Sequence, residues 1–355
     1  MSDGTLADLG WTDELEAAFT PHSERGFEPA RVVAEHRGGY LVRGARDERL
    51  AHARGRLRDL ELWGSMPAVG DWVAVCDAPG GTAAIEAVLP RSSKVSRKTP
   101  WLKAEEHVLV ANVDTVLLVS GLDADFNPRR LERYLTAAWD SGANPVVVLT
   151  KLDVCDDPDL VLDAESVAIG IPVLAVSNVT GEGIDELRAL LRPRRTFVLL
   201  GSSGTGKSTL VNRLAGRRLM PTGDLRNDGR GRHTTRHRQL LVLPGGALLV
   251  DTPGLRELQI WEGDVDGAFS DVAELASRCR FNDCAHDTEP GCAVQEALAS
   301  GVLDPARYAS YRKLQRELRA IEIRSSARLR SEEKRRWRAR ARESRSARRY
   351  RDRAE

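Results

Sequence analysis

Between residues 30 and 90 apolar and polar positions alternate in short runs: ArgValValAlaGlu (31–35), TyrLeuValArg (40–43), AspTrpValAlaValCys (71–76) and AlaIleGluAlaVal (84–88). A period of two is the signature of a strand with one face in a core. Gly38-Gly39, Gly70 and Pro79-Gly80-Gly81 break the runs with turn chemistry. Several short strands so closely spaced predict a small β-barrel. An oligonucleotide-binding (OB) barrel of five strands fits, and the periodicity alone fits an SH3-like barrel equally. Past Arg91 a polar, basic stretch reads as a linker, and then the texture changes. Continuous apolar runs at 113–119, 145–149, 171–176, 196–200 and 247–250 read as strands buried on both faces. Helical patterns lie between them. Asn127-Pro128 opens one over 129–140 and Gly183 another to about Leu191. Strand alternating with helix predicts a mostly parallel sheet in an α/β domain. Residues 1–27 read as a short helix and a poorly ordered leader, 263–305 as short polar segments with cysteines, and Tyr308–Ile323 as a helix.

The chemistry concentrates in this second region. Gly201-Ser202-Ser203-Gly204-Thr205-Gly206-Lys207-Ser208-Thr209 completes a GxxxxGK[ST] pattern between the apolar Phe197–Leu200 and a helical stretch. Strand, Gly-rich loop and helix N-terminus together form the context in which backbone N–H groups converge on phosphates. Lys207 is placed to neutralise the β/γ oxygens, and Ser208 to give its hydroxyl to Mg²⁺. Asp251-Thr-Pro-Gly254 follows the apolar run 247–250, with Asp251 on the Mg²⁺ side and the Gly254 N–H toward the γ-phosphate. Thr150-Lys151-Leu152-Asp153 ends another strand. A carboxylate there accepts from a purine's ring N–H and exocyclic amine. Guanine presents both donors and adenine does not, so Asp153 selects GTP, a mismatch worth about 10⁴–10⁵ in discrimination. Ser177-Asn178, at a further strand end, supports the base from its other side.

The order of these elements is unusual. An ordinary GTPase begins with its phosphate loop, whereas here the Lys-x-Asp and Ser loops precede it. Joining the ends of such a domain and cutting it elsewhere, a circular permutation, gives this order. The segment Gly229–Arg236 is the expected first switch, with Thr234 or Thr235 completing the Mg²⁺ shell. Leu255 stands where regulatory GTPases place a water-orienting Gln, so hydrolysis by the isolated chain is expected to be slow, with His233 or a partner's group orienting the water. A second set, Cys279-x4-Cys284-x-His286-x5-Cys292, offers three thiols and one imidazole, suited to one tetrahedral structural Zn²⁺. Cys76 and Cys155 read as small packing residues in or beside strands.

Composition adds compartment and partner. No apolar run reaches the length of a membrane span. The first 24 residues carry no Lys or Arg, so no secretory signal is expected. Five scattered cysteines point to a reducing cytoplasm. The net charge of +1 is uninformative, but residues 306–355 hold 19 Lys/Arg against 7 Asp/Glu while the rest hold 34 against 45. A basic tail on an acidic body predicts docking on a polyanion that weakens with salt. Trp63 is a candidate for base stacking, whereas Trp72 reads as core. A P-loop ATPase or kinase in which Thr-Lys-Leu-Asp is accidental is the competing reading, and binding of GDP against ADP separates the two. A zinc-dependent RNA-binding scaffold, with nucleotide as a structural ligand, is a third.

Taken together the motifs resemble the small ribosomal subunit biogenesis GTPase family (RsgA, also called YjeQ). ValGlyAspTrpVal (69–73), Asn112-Val-Asp114, Arg133-Tyr134-Leu135 and ArgHisThrThr (232–235) add to the likeness, which covers roughly 28–320. The family commonly has Asn at the place of Thr150, and often a third Thr at Arg236. The resemblance implies an OB-fold barrel (28–92), a circularly permuted GTPase domain (111–262) and a helical zinc-binding module (263–323), and composition places a leader (1–27), a linker (93–110) and an Arg-rich tail (324–355) around them. It implies a monomer that binds the 30S subunit and its 16S rRNA, is stimulated by it, and acts at a late maturation checkpoint that releases assembly factors such as ribosome-binding factor A.

Overall fold

The computed structural model describes residues 5–36, 38–55, 57, 66–98, 106–124, 126–220, 238–251, 269–281, 284–287 and 289–325. Five strands come first: β1 (Glu28–His36), β2 (Gly39–Arg43), β3 (Glu48–Ala53), β4 (Trp72–Ala78) and β5 (Thr82–Val88). They run in the order β1-β2-β3-β5-β4, and β4 returns to β1, closing a barrel. The β3–β5 pair is parallel and the others antiparallel. This closed five-stranded connectivity is that of an OB-fold, which decides between the two barrels the periodicity allowed. Val32, Val42, Val73, Val75 and Ile85 fill it. β3 carries no clear strand pattern because Glu-Arg-Leu-Ala-His-Ala buries only Ala51 and Ala53.

Residues 5–27, expected as a short helix and a poorly ordered leader, pack onto the barrel. A 3₁₀ turn (Leu6–Leu9) precedes α1 (Asp13–Ser23), capped by Thr12. Their apolar face covers one side of the barrel, where Leu9 and Phe19 join Trp72, Ala74 and Leu89. Trp11 meets Trp72 edge-on at 4.7 Å, so Trp72 is core. Within the stretch expected as a linker, β6 (Lys94–Lys98) and β7 (Glu106–Ala111) pair as an antiparallel ribbon. Trp63 lies outside the described residues.

The α/β domain contains β8 (Thr115–Gly121), α2 (Pro128–Asp140), β9 (Asn144–Thr150), α3 (Asp159–Val167), β10 (Val173–Ala175), α4 (Ile184–Leu190), β11 (Thr196–Leu200), α5 (Lys207–Ala215), β12 (Gln239–Val242) and β13 (Leu248–Asp251). Its sheet order is β10-β9-β8-β11-β13-β12, parallel throughout except for β12. The phosphate-loop strand β11 thus lies inside the sheet although it comes fourth in the chain order. Beyond β12 the sheet continues into the barrel through Ala34↔Gln239, giving eleven strands. Glu35 reinforces the seam, its N–H donating to the Arg238 carbonyl at 3.3 Å and its carboxylate pairing with the Arg238 guanidinium at 2.8 Å.

A buried arginine holds the joint between barrel, leader and α/β domain. Arg31 donates to the carbonyls of Gly70 (3.1 Å), Leu9 and Asn112 (3.3 Å) and to Thr196 Oγ1 (2.9 Å), with Trp72 under its guanidinium. Three helices follow: α6 (Ser270–Ser277), α7 (Ala293–Ala299) and α8 (Pro305–Ser325). They pack Phe269, Val272, Val294 and Tyr311 into the core that holds Leu131 and Leu135 of α2. Arg307 on α8 grips Asp271 with two bonds of 2.7 Å and reaches Glu132 on α2 at 3.3 Å. Burial pushes the Glu132 carboxyl up, against the pull of Ser310 and Arg307.

Candidate functional site

The C-terminal ends of three parallel strands meet at one edge, with Gly121 paired to Thr150 and Leu200 to Leu118. The phosphate loop leaves β11 there and feeds α5. Its first glycine is obligatory, since a Cβ on Gly201 would lie 2.1 Å from the Val119 carbonyl. Ser203 and Gly204 form the exposed tip. Thr205 is buried and donates to the Ser202 carbonyl at 3.0 Å. Lys207 curls back over the loop, its Nζ donating to the carbonyls of Gly201 (2.7 Å) and Ser202. Ser208 and Thr209 follow in the first turn of α5, with Ser208 half-buried. Asp251 ends β13, whose Val250 pairs with Val198, so the strand carries it to the same edge.

The Thr-Lys-Leu-Asp turn lies against this loop. Thr150 is fully buried and donates to the Thr205 carbonyl at 2.6 Å. Lys151 takes a left-handed backbone (φ 65°) and pairs with Asp123 at 2.5 Å. Leu152 donates its N–H to the Val176 carbonyl at 3.2 Å and starts one turn of 3₁₀ helix, Leu152–Val154. Asp153 is held by Ser177, which donates from Oγ at 2.6 Å. The same oxygen accepts from the N–H groups of Val179 (3.1 Å) and Thr180 (3.0 Å). Asn178 donates from Nδ2 to the Gly206 carbonyl at 3.4 Å. Turn, Ser loop and phosphate cradle are therefore one hydrogen-bonded unit.

His233, Thr234, Thr235 and Gly254 lie outside the described residues, as do Leu255 and the tail beyond 325. Sequence reasoning missed Arg130. On the first turns of α2 it donates to Ser202 Oγ at 2.9 Å, and Tyr134, one turn on, shares that hydroxyl at 3.1 Å. The i, i+4 spacing of Arg130 and Tyr134 marks a common face, but only the sheet order reveals that this face looks at the phosphate loop.

The four zinc candidates converge at the C-terminal end of α6 and the N-terminus of α7, their ligand atoms all within 4.8 Å of one another. Cys279 Sγ is 3.8 Å from Cys292 Sγ, and each lies 3.5 Å from His286 Nδ1. A tetrahedron with Zn–S bonds of about 2.3 Å has edges of about 3.8 Å, so the set fits zinc. His286 takes a left-handed φ of 58°. Its carbonyl is pinned by Gln295 (2.5 Å) and the Tyr308 hydroxyl (3.2 Å). Burial and the two neighbouring thiols push the Cys284 thiol up to about 11, as expected of clustered sulfurs that a cation would relieve. Cys76 and Cys155 are half-buried and stand outside this cluster. No helix among the described residues is long and apolar enough to cross a membrane.

Residues 88–261 match the family model described as RsgA GTPase. The small ribosomal subunit biogenesis GTPase RsgA of Opitutus terrae is 49% identical, over 88% of this chain and 89% of its own. The protein of that name from Streptomyces avermitilis is 42% identical over 98% and 94%. Among solved structures, YjeQ from Thermotoga maritima aligns with a TM-score of 0.63 at 30% identity, covering 82% of this chain and 98% of its own. YloQ, described as a circularly permuted GTPase, shares the fold with a TM-score of 0.59 at 23% identity, over 83% and 96%. With relatives this similar matched over most of its length, the chain belongs to the RsgA family of GTPases.

Proposed function

We propose that this chain hydrolyses GTP on the small ribosomal subunit, as a cytoplasmic monomer acting at a late maturation checkpoint at which assembly factors such as ribosome-binding factor A leave. Its relatives' name, small ribosomal subunit biogenesis GTPase, supports the partner. The observation that carries the nucleotide reading is the Thr150 hydroxyl bonded to the Thr205 carbonyl, because it welds the base-reading turn to the phosphate cradle. In this reading Asp153, oriented by Ser177, accepts the ring N–H and amine of guanine, and Lys151 packs along the base. Leu152 sets the turn. The N–H groups of Gly201–Thr209 wrap the phosphates and Lys207 meets the β/γ oxygens. Ser208, Asp251 and Thr234 or Thr235 are the residues to hold Mg²⁺, which when bound offsets charge on the β and γ oxygens. Gly254 offers its N–H to the γ-phosphate. His233, or a group from the subunit, orients the attacking water, a task Leu255 cannot perform. Cys279, Cys284, His286 and Cys292 hold one structural Zn²⁺. The barrel and the Arg-rich tail supply 16S rRNA contacts.

GTP turnover measured alone, with purified 30S subunits and with 50S subunits tests the proposal. A slow basal rate raised by 30S and not by 50S is expected, and Asp153→Asn should abolish the preference for GDP over ADP. Equal turnover in all three mixtures would remove the subunit from the reading.

A further inference from the structure

We propose that the side-chain amide of Asn178 reads the imidazole edge of guanine, with Nδ2 donating to N7. The inference rests on the guanine-nucleotide reading above and adds a specificity group to that site. Guanine carries donors at its ring N–H and amine, which Asp153 takes, and acceptors at O6 and N7, which call for protein donors. Thr150, first residue of the turn, has none left. Its hydroxyl has a single proton, and the 2.6 Å bond to the Thr205 carbonyl takes it.

Asn178 is placed to supply the missing donor. The position of Gly206 locates both side chains: a Cβ built there would lie 3.2 Å from Asn178 Nδ2 and 3.6 Å from Thr150 Oγ1. The two therefore sit side by side over one glycine of the phosphate loop. Among the described residues the amide makes one bond, a long one of 3.4 Å to a Gly206 carbonyl that already accepts the Leu210 N–H at 2.9 Å. At that length one of its two hydrogens is loosely held and the other is uncommitted. The amide oxygen is buried with no partner among the described residues. Burying a half-satisfied amide is unfavourable, and packing alone would be served better by an apolar side chain. Its neighbour Ser177 bonds Asp153. Residues 177–178 thus span from the carboxylate that takes one end of the base to the loop that takes the phosphates. A purine gripped at both ends places its imidazole ring along this span.

The test compares GDP with 7-deaza-GDP, which replaces N7 by C–H and keeps both donors for Asp153. Affinities of the full-length chain are measured by competition with a fluorescent GDP, and thermal melts check folding. The wild-type chain should bind 7-deaza-GDP about three- to tenfold more weakly than GDP, the worth of one hydrogen bond. Asn178→Ala should lose a similar factor toward GDP and bind the two nucleotides equally. Asn178→Asp, which keeps the shape and lacks the donor, should behave the same way. Thr150→Asn on the Asn178→Ala background should restore the discrimination. A wild-type ratio near one, or an Asn178→Ala ratio unchanged from wild type, overturns the assignment. Asp153→Asn measured alongside keeps the two readings apart: if it weakens GDP while the Asn178 variants leave the ratio untouched, only the N7 contact fails. If Asp153→Asn leaves GDP affinity as it was, the guanine site itself fails.

Discussion

Asp153 depends on a serine that lies in a different loop. The Ser177 hydroxyl donates to it at 2.6 Å and accepts two backbone N–H groups at 3.1 and 3.0 Å, so one oxygen fixes both the carboxylate and its own loop. Ser177→Ala frees the carboxylate and leaves two N–H groups without their acceptor, a cost of about 1–3 kcal/mol. We expect GDP affinity to fall by about tenfold, as one charge-assisted bond is worth about 1.5–3 kcal/mol, and the melting temperature to drop by a few degrees. Titration and calorimetry read the two effects separately. The residues of this site were legible wherever their signal was local. Gly201–Thr209 and Thr150–Asp153 are contiguous strings whose flanking apolar runs say strand or helix. Contacts between strings were not legible. Arg130 reaches Ser202 across 72 positions, and no spacing rule covers that.

Among the elements, β8, β9 and β11 were legible in the sequence, and β3, β7 and β12 were not. β8, β9 and β11 are nearly all buried, and their apolar runs gave them away. β12 shows a mixed pattern in only four residues, and its place is set by β13 and the barrel on either side of it. The Cys₃His cluster belongs to this scale because it lies between the ends of two helices. Cys279 follows α6 and Cys292 caps α7, while the segment between them has little apolar content to bury. Chelation should therefore melt α6 and α7 together. A loss of helical signal by circular dichroism, one zinc per chain by metal analysis and retained GDP binding are expected. Because the thiols must shed protons to bind metal, acidification should release zinc and alkaline conditions should retain it. Zinc that stays bound at acid pH would contradict this linkage.

At the scale of the molecule Arg31 fastens three regions that no local sequence pattern joins. It bonds the leader at Leu9, the barrel at Gly70 and the α/β domain at Asn112 and Thr196. The family-like residues 69–73 and 112–114 turn out to be this joint: Asn112 Nδ2 also donates to the Gly70 carbonyl at 3.1 Å. Arg31→Met takes the donor from the Leu9 and Asn112 carbonyls, at about 1–3 kcal/mol for each that water cannot reach, while Gly70 keeps Asn112. The cooperative melt should fall and split into barrel and α/β transitions, which calorimetry detects; a single transition at the wild-type temperature refutes the role. Burial lowers the Arg31 pKa to about 10, against the pull of Asp114 and Asp71. A folded pKa below the unfolded value means the native state holds this proton less tightly, so Arg31 adds no pH dependence at neutrality and none of the loss of stability above pH 10. The seam at Ala34↔Gln239 carries a further implication for how the molecule is made. A nascent chain finishes its barrel while most of the nucleotide domain is still being translated. The stretch of β1 beyond Val32, which neither β4 nor the residues leading into it cover, must wait as an open edge until β12 leaves the exit tunnel. The join between the two halves is therefore among the last to form, and the slow step of maturation should be this long-range docking, not closure of either half.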